Sequence, residues 1–196
     1  MYAGRITSEE KSALSTYVGV GIAIVLIAGG LYIFFVEQKE KKETTGFDPN
    51  RPVPSDAVLK HRLKTEEYFV VRQGGTQTPF QNEFWNNERT GIYVDVITGE
   101  PLFTSLDKFD SGLGMPAFSK PISKDLLAEN LDTSNNMQRT EVRAKRSNAH
   151  LGHLFPDPKS STGQRYSVNS AAFHFIPVEE MKASGYEAYL SLFDKK

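Results

Sequence analysis

From Thr76 to Ile176 the chain breaks into short apolar or alternating runs divided by turn residues. Gly91-Ile92-Tyr93-Val94-Asp95-Val96-Ile97 meets Thr98-Gly99, and Pro101-Leu102-Phe103 follows at once. Later runs cover Gln138 to Ala144, His150 to Phe155 and Arg165 to Ile176. This punctuation predicts strands, mostly antiparallel, joined by turns. Helix is expected at Asp56 to Leu63 and at Thr65 to Val70, where Thr65 starts a turn carrying Glu66 and Glu67 and Gly74-Gly75 ends the segment. Pro177-Val178-Glu179-Glu180 opens a last short helix with Gly185 near its end.

Ahead of that region the chain changes character. Ser12 to Val36 carries no charge, and Tyr17 to Val36 is almost wholly apolar. Roughly twenty such residues span a bilayer core as a helix. Tyr17 and Tyr32 suit the interfaces. A cleaved signal peptide fits less well, because the run is long and no clear small-x-small site follows it. The reading is a single-pass membrane anchor at residues 17–36, after a tail at 1–16 and before a linker and short helix at 37–62. Arg5 and Lys11 precede it, and Lys39, Lys41 and Lys42 follow. The balance leans by one charge toward a cytoplasmic C-terminal domain, which leaves the orientation open.

Two segments carry the chemistry. Leu151-Gly152-His153-Leu154-Phe155 offers an imidazole beside a glycine turn. Arg165-Tyr166-Ser167-Val168-Asn169 alternates, so Arg165, Ser167 and Asn169 share one face if it is a strand. Each has an ordinary structural alternative. His150 and His153 fit strand-end hydrogen bonding, Asn169 a turn, and Arg165 with Asp157 a surface ion pair contributing under about 1 kcal/mol. Phe80, Phe84, Trp85 and Tyr93 are expected in the core. No Gly-x-Ser-x-Gly elbow surrounds Ser167, which argues against a hydrolase nucleophile. His150 and His153 lack an evident third ligand for zinc, so no metal is expected.

Composition narrows the chemistry further. A net charge of −1 over 196 residues gives no electrostatic reason for a nucleic-acid partner. The chain has no cysteine, which removes disulfides, zinc–thiolate sites and thiol catalysis together.

The soluble part nevertheless resembles the type B methionine sulfoxide reductases, over about residues 63–193. The matching pieces occur in order: Gly75-Thr76-Gln77-Thr78-Pro79-Phe80, Phe84-Trp85, Gly91-Ile92-Tyr93-Val94, Gly99-Glu100-Pro101-Leu102-Phe103 and Lys108-Phe109-Asp110-Ser111-Gly112. Then come Arg139-Thr140-Glu141-Val142-Arg143, His150-Leu151-Gly152-His153, Arg165-Tyr166 and Asn169-Ser170-Ala171-Ala172 before Phe175-Ile176-Pro177. The resemblance implies a mainly β fold of two antiparallel sheets with short flanking helices, here preceded by one transmembrane helix. It implies reduction of the R epimer of methionine sulfoxide in proteins, with electrons from thioredoxin or a similar dithiol and no cofactor. It places Ser167 where the family carries a nucleophilic cysteine or selenocysteine, and His153 where a histidine protonates the leaving oxygen. Arg165, Asn169, His150 and Asp157 arrange the site, and Met115 stands where a tryptophan packs on the substrate's S-methyl beside Phe155. The loop position of a resolving cysteine is Leu113. Zinc-binding members carry cysteine pairs where this chain has Asp95 and Thr98, and Ala144 and Ser147, so the resemblance is to the zinc-free branch.

Ser167 changes the chemistry. Sulfur accepts the substrate's oxygen as a reversible sulfenic acid, whereas a serine oxygen in that role has to form a weak oxygen–oxygen bond. Two functions follow: a membrane-anchored reductase in which Ser167 stands for cysteine, or a non-catalytic sulfoxide-binding protein on the same fold.

Overall fold

A computed structural model describes residues 46–194. The expected tail and membrane helix, at residues 1–16 and 17–36, lie outside the described residues. Among the described residues no helix is long and apolar enough to cross a membrane.

Two short helices lead the fold, α1 (Asp56–Arg62) and α2 (Thr65–Gln73). Lys64, not Thr65, caps α2: its backbone N–H donates to the Glu67 carboxylate at 2.9 Å. Gly74 takes the left-handed conformation that ends the helix, as the sequence indicated, with the helix itself running to Gln73 rather than Val70. Leu59, Val70 and Val71 are fully buried, so the helices hold to the sheets by one apolar side each.

Nine strands follow, and every pairing among them is antiparallel. Strands β1 (Gly91–Asp95), β2 (Pro101–Thr104) and β9 (Phe173–Pro177) make a three-stranded sheet in the order β2-β1-β9. The second sheet has six strands, β3 (Lys108–Phe109), β4 (Ala117–Phe118), β5 (Leu127–Asp132), β6 (Arg139–Ala144), β7 (His150–Pro156) and β8 (Gln164–Val168). Their order is β3-β4-β8-β7-β6-β5. The mainly β, two-sheet architecture expected from the sequence is therefore present.

Aromatic side chains join the sheets. Phe103 of β2 stacks on Phe118 of β4 with ring centroids 4.6 Å apart, and Tyr93 of β1 meets the same ring edge-on at 4.9 Å. Tyr166, Val168, Leu151 and Val142 line the core from the six-stranded sheet. Of the four aromatics expected inside, Phe84 and Tyr93 are buried. Phe80 is not: it is 53% exposed, at a left-handed φ of 63°, with its ring edge-on to a half-buried Trp85. Its backbone N–H donates to Gly114 O at 2.8 Å, which turns the side chain outward.

Two local expectations change. Arg165 to Ile176 is not one strand: a 3-10 turn at Ser170–Ala172 passes the chain from β8 in one sheet to β9 in the other. The turn is held from outside, since Ser170 Oγ accepts from Phe84 N–H and donates to Asn82. After Pro177 the chain forms only a 3-10 turn at Val178–Glu180, and a longer one at Glu187–Phe193. Strand β5 has no apolar alternation, because an edge strand with one buried residue, Leu127, needs none.

Candidate functional site

Strand β8 is central in its sheet, and its alternation sorts the side chains. Tyr166 and Val168 turn into the core, while Arg165 and Ser167 stand half-buried on the other face. Ser167 has Ala117 of β4 across on one side and His153 of β7 on the other. The row continues from His153 to Glu141 of β6. Ser167 and His153 are thus neighbours, although no hydrogen bond joins the Ser167 hydroxyl to either imidazole among the described residues.

Gly152 does not form a turn, as the sequence suggested; it lies inside β7 beside a bulge. Val142 pairs with Gly152 and Arg143 with His150, which leaves Leu151 as an extra residue. Three residues apart on a regular strand, His150 and His153 would point to opposite faces. The bulge re-aims His150, and the two rings lie 5.5 Å apart. Gly152 is required there because β8 comes so close: an added Cβ would stand 2.1 Å from the carbonyl oxygen of Ser167.

Each histidine is held by a carboxylate that is itself held by an arginine. His153 Nε2 lies 2.7 Å from Asp132 Oδ2, which also receives Arg139 Nη2 at 2.6 Å. His150 Nδ1 lies 2.7 Å from Glu141 Oε1, which receives Arg143 Nη1 at 2.6 Å. Hydrogen bonds from Ser134, by side chain and backbone, and from His153 hold the Asp132 carboxyl far below the usual carboxylate range. For Glu141 burial acts upward, but bonds from His150 and Arg143 outweigh it and the net direction is down. Burial pushes the His150 pKa down against the opposing pull of Glu141.

Arg165 and Asp157 are more than a surface pair. Arg165 Nε meets Asp157 Oδ2 at 2.8 Å, with the two side chains only 11% and 12% exposed. The guanidinium lies over the Phe155 ring, 4.9 Å from its centroid. A backbone bond from Lys159, aided by Arg165, keeps the Asp157 carboxyl below its usual range. Phe155 also approaches His153, with ring centroids 6.2 Å apart. The strand pairing thus gathers Ser167, His153, His150, Phe155, Arg165 and Asp157.

The remaining expected residues sit at the border. Asn169 lies past the end of β8 and is 2% exposed. Its Oδ1 accepts from Gln77 N–H at 2.9 Å and its Nδ2 donates to Leu151 O at 3.1 Å, so both ends of the amide clamp backbone. Met115 is half-buried in the loop before β4, two residues from Ala117, with Sδ 3.6 Å from Asn82 Nδ2. Leu113 is exposed in the same loop.

Sequence reasoning missed Asp132, Arg139, Glu141 and Arg143 as members of this face. A signal existed for three of them: Arg139-Thr140-Glu141-Val142-Arg143 puts charges at every second position, hence on one side of a strand. For Asp132, in a polar hairpin, there was none.

A known family matches the region that holds these strands. The SelR domain model matches residues 63–177, more than half of the chain and all of the strands that carry the site. The chain belongs to the SelR domain family, the methionine-R-sulfoxide reductases.

Proposed function

We propose that this chain is a membrane-anchored member of the family that engages methionine-R-sulfoxide in oxidised proteins, with Ser167 at the position of the catalytic thiol. The observation that carries the reading is the cross-strand pair of Ser167 and His153, bordered by Arg165, Asp157 and Phe155. In a reductase the nucleophile at this place attacks the sulfoxide sulfur, and the oxygen leaves onto it with a proton from His153. Cysteine then returns from sulfenic acid to thiol at the expense of a thioredoxin-like dithiol, releasing water. Ser167 has no such return path, so reduction halts while the pocket stays built. Met115 gives the substrate methyl a polarisable apolar contact. Asn169, buried and clamped, and His150 act on the shape of the site.

The reading also places the chain in the zinc-free branch. Where cysteine pairs would hold zinc, Asp95 is fully buried and accepts from Ile97 N–H at 3.1 Å and from Thr98 Oγ1 at 2.6 Å. Ala144 offers no donor atom, and zinc is held by thiolate, imidazole or carboxylate rather than hydroxyl. Anchoring rests on the apolar stretch at residues 17–36.

The test compares the full-length chain with its Ser167→Cys variant, each given a methionine-R-sulfoxide peptide and dithiothreitol, with product counted by mass spectrometry. Only the cysteine form is expected to make reduced peptide. No product from either form overturns the reading, and turnover by the serine form overturns the oxygen–oxygen argument.

A further inference from the structure

We infer that Asp132 is a positioning residue for His153: it fixes which imidazole nitrogen carries a committed proton and which one is offered to the sulfoxide oxygen. The inference rests on the proposed function for the identity of the ligand, but its geometry stands apart from it.

The argument starts from donor counting. A carboxylate that receives an arginine at 2.6 Å and a backbone N–H at 2.9 Å has no proton to give. The 2.7 Å contact between His153 and Asp132 therefore needs its hydrogen on Nε2. Nδ1 is the nitrogen left over. In the neutral ring it is an acceptor, and in the charged ring it is a second donor, the form a sulfoxide oxygen needs.

Asp132 reaches His153 from two strands away, on the hairpin formed by β5 and β6. Its own position is fixed from several sides, by Arg139 and by the backbone N–H of Ser134. Glu141 does the same for His150 through Nδ1, and His150 Nε2 is left buried and without a partner. The two histidines thus present opposite nitrogens, each with one side engaged by an acid. The charged and titratable groups around His153 are Asp132 on β5, Arg139, Glu141 and Arg143 on β6, His150 on β7, Arg165 on β8, and Asp157 just after β7. Among the described residues only Asp132 bonds the His153 ring.

The experiment has two readouts on the full-length chain. Long-range proton–nitrogen NMR reads the tautomer of His153 in the parent and in Asp132→Asn, with no ligand present. Expected are an Nε2–H tautomer in the parent and a loss of that preference in the variant. An Nδ1–H tautomer in the parent, or an unchanged tautomer in the variant, overturns the inference. The second readout puts Asp132→Asn into the Ser167→Cys chain and follows methionine-R-sulfoxide reduction. Expected is a kcat at least about tenfold lower with little change in KM. An unchanged kcat overturns it as well. Asp132→Glu, which keeps the carboxylate, is expected to recover part of the loss. If the Ser167→Cys chain itself makes no product, the proposed function falls, and the ligand-free spectrum still decides the Asp132–His153 coupling.

Discussion

A methyl group added at Gly152 would stand 2.1 Å from the Ser167 carbonyl oxygen and 2.8 Å from the Val168 Cα, both of them backbone atoms of a central strand. Neither can yield as a flexible side chain would. Gly152→Ala therefore has to part β7 from β8, at a cost of about 2–3 kcal/mol in stability, to be read from the shift of a denaturant unfolding midpoint. It also undoes the bulge that turns His150 toward His153, so the His150 and His153 resonances should move together. At this scale the sequence was most readable where a residue type is chemically distinctive. His153, Arg165 and Ser167 were singled out from their types and alternation, and they meet on one sheet face. The acids behind the histidines were not, because a surface glutamate and one that orients an imidazole look alike until strand register brings them to a partner. Register is set by turns and a bulge, and no single residue announces it.

Among the elements, the turn between β1 and β2 starts from a buried carboxyl at the end of β1. Asp95 is fully buried, and burial raises its pKa above the ordinary aspartate value, against bonds from Thr98, Ile97 and Ser147. An acid with a raised folded pKa binds its proton more tightly when folded than when unfolded. Its charged form thus burdens the fold above that pKa, and the burden is lifted as pH falls through it toward about 4. Asp132, Glu141 and Asp157 are depressed and act oppositely, losing their contribution only as pH falls below about 4. His150, also depressed, opposes Asp95 below about pH 6.5, so the comparison has to be differential. Asp95→Asn should be more stable relative to the parent at pH 7 than at about pH 4, where the burden is lifted, as thermal midpoints of the two proteins measured side by side would report. The element boundaries themselves were legible wherever glycine stood at a left-handed position, as at Gly74 and Gly99. They failed at Asn169-Ser170, where a hydrogen bond from Gln77 to Asn169 and one from Ser170 to Asn82 tie the chain to a distant segment and decide that the strand ends.

Over the whole of the described region, one shared core ties the two sheets together. Phe103 and Tyr93 from the smaller sheet are fully buried against Phe118 and Tyr166 from the larger. Phe103→Ala should cost about 3–5 kcal/mol, and near-ultraviolet and far-ultraviolet dichroism should still melt in one coincident transition, because the second cluster, of Ile92, Val94, Met181 and Tyr186, is built on the same β1 strand whose Tyr93 is buried in the shared core. The antiparallel strands were visible in the spacing and the two sheets only through the family resemblance, but the six-and-three division was not, since it depends on which turns cross between sheets. Against that frame the place of Ser167 has a genetic consequence. Its backbone belongs to the ladder, yet among the described residues its hydroxyl bonds to nothing, so folding is indifferent to whether oxygen or sulfur stands there. Serine and cysteine codons can differ by one base. Alleles with serine and with cysteine at position 167 would then share a fold and a stability, separated by a single nucleotide, and only the chemistry of that side chain would be exposed to selection.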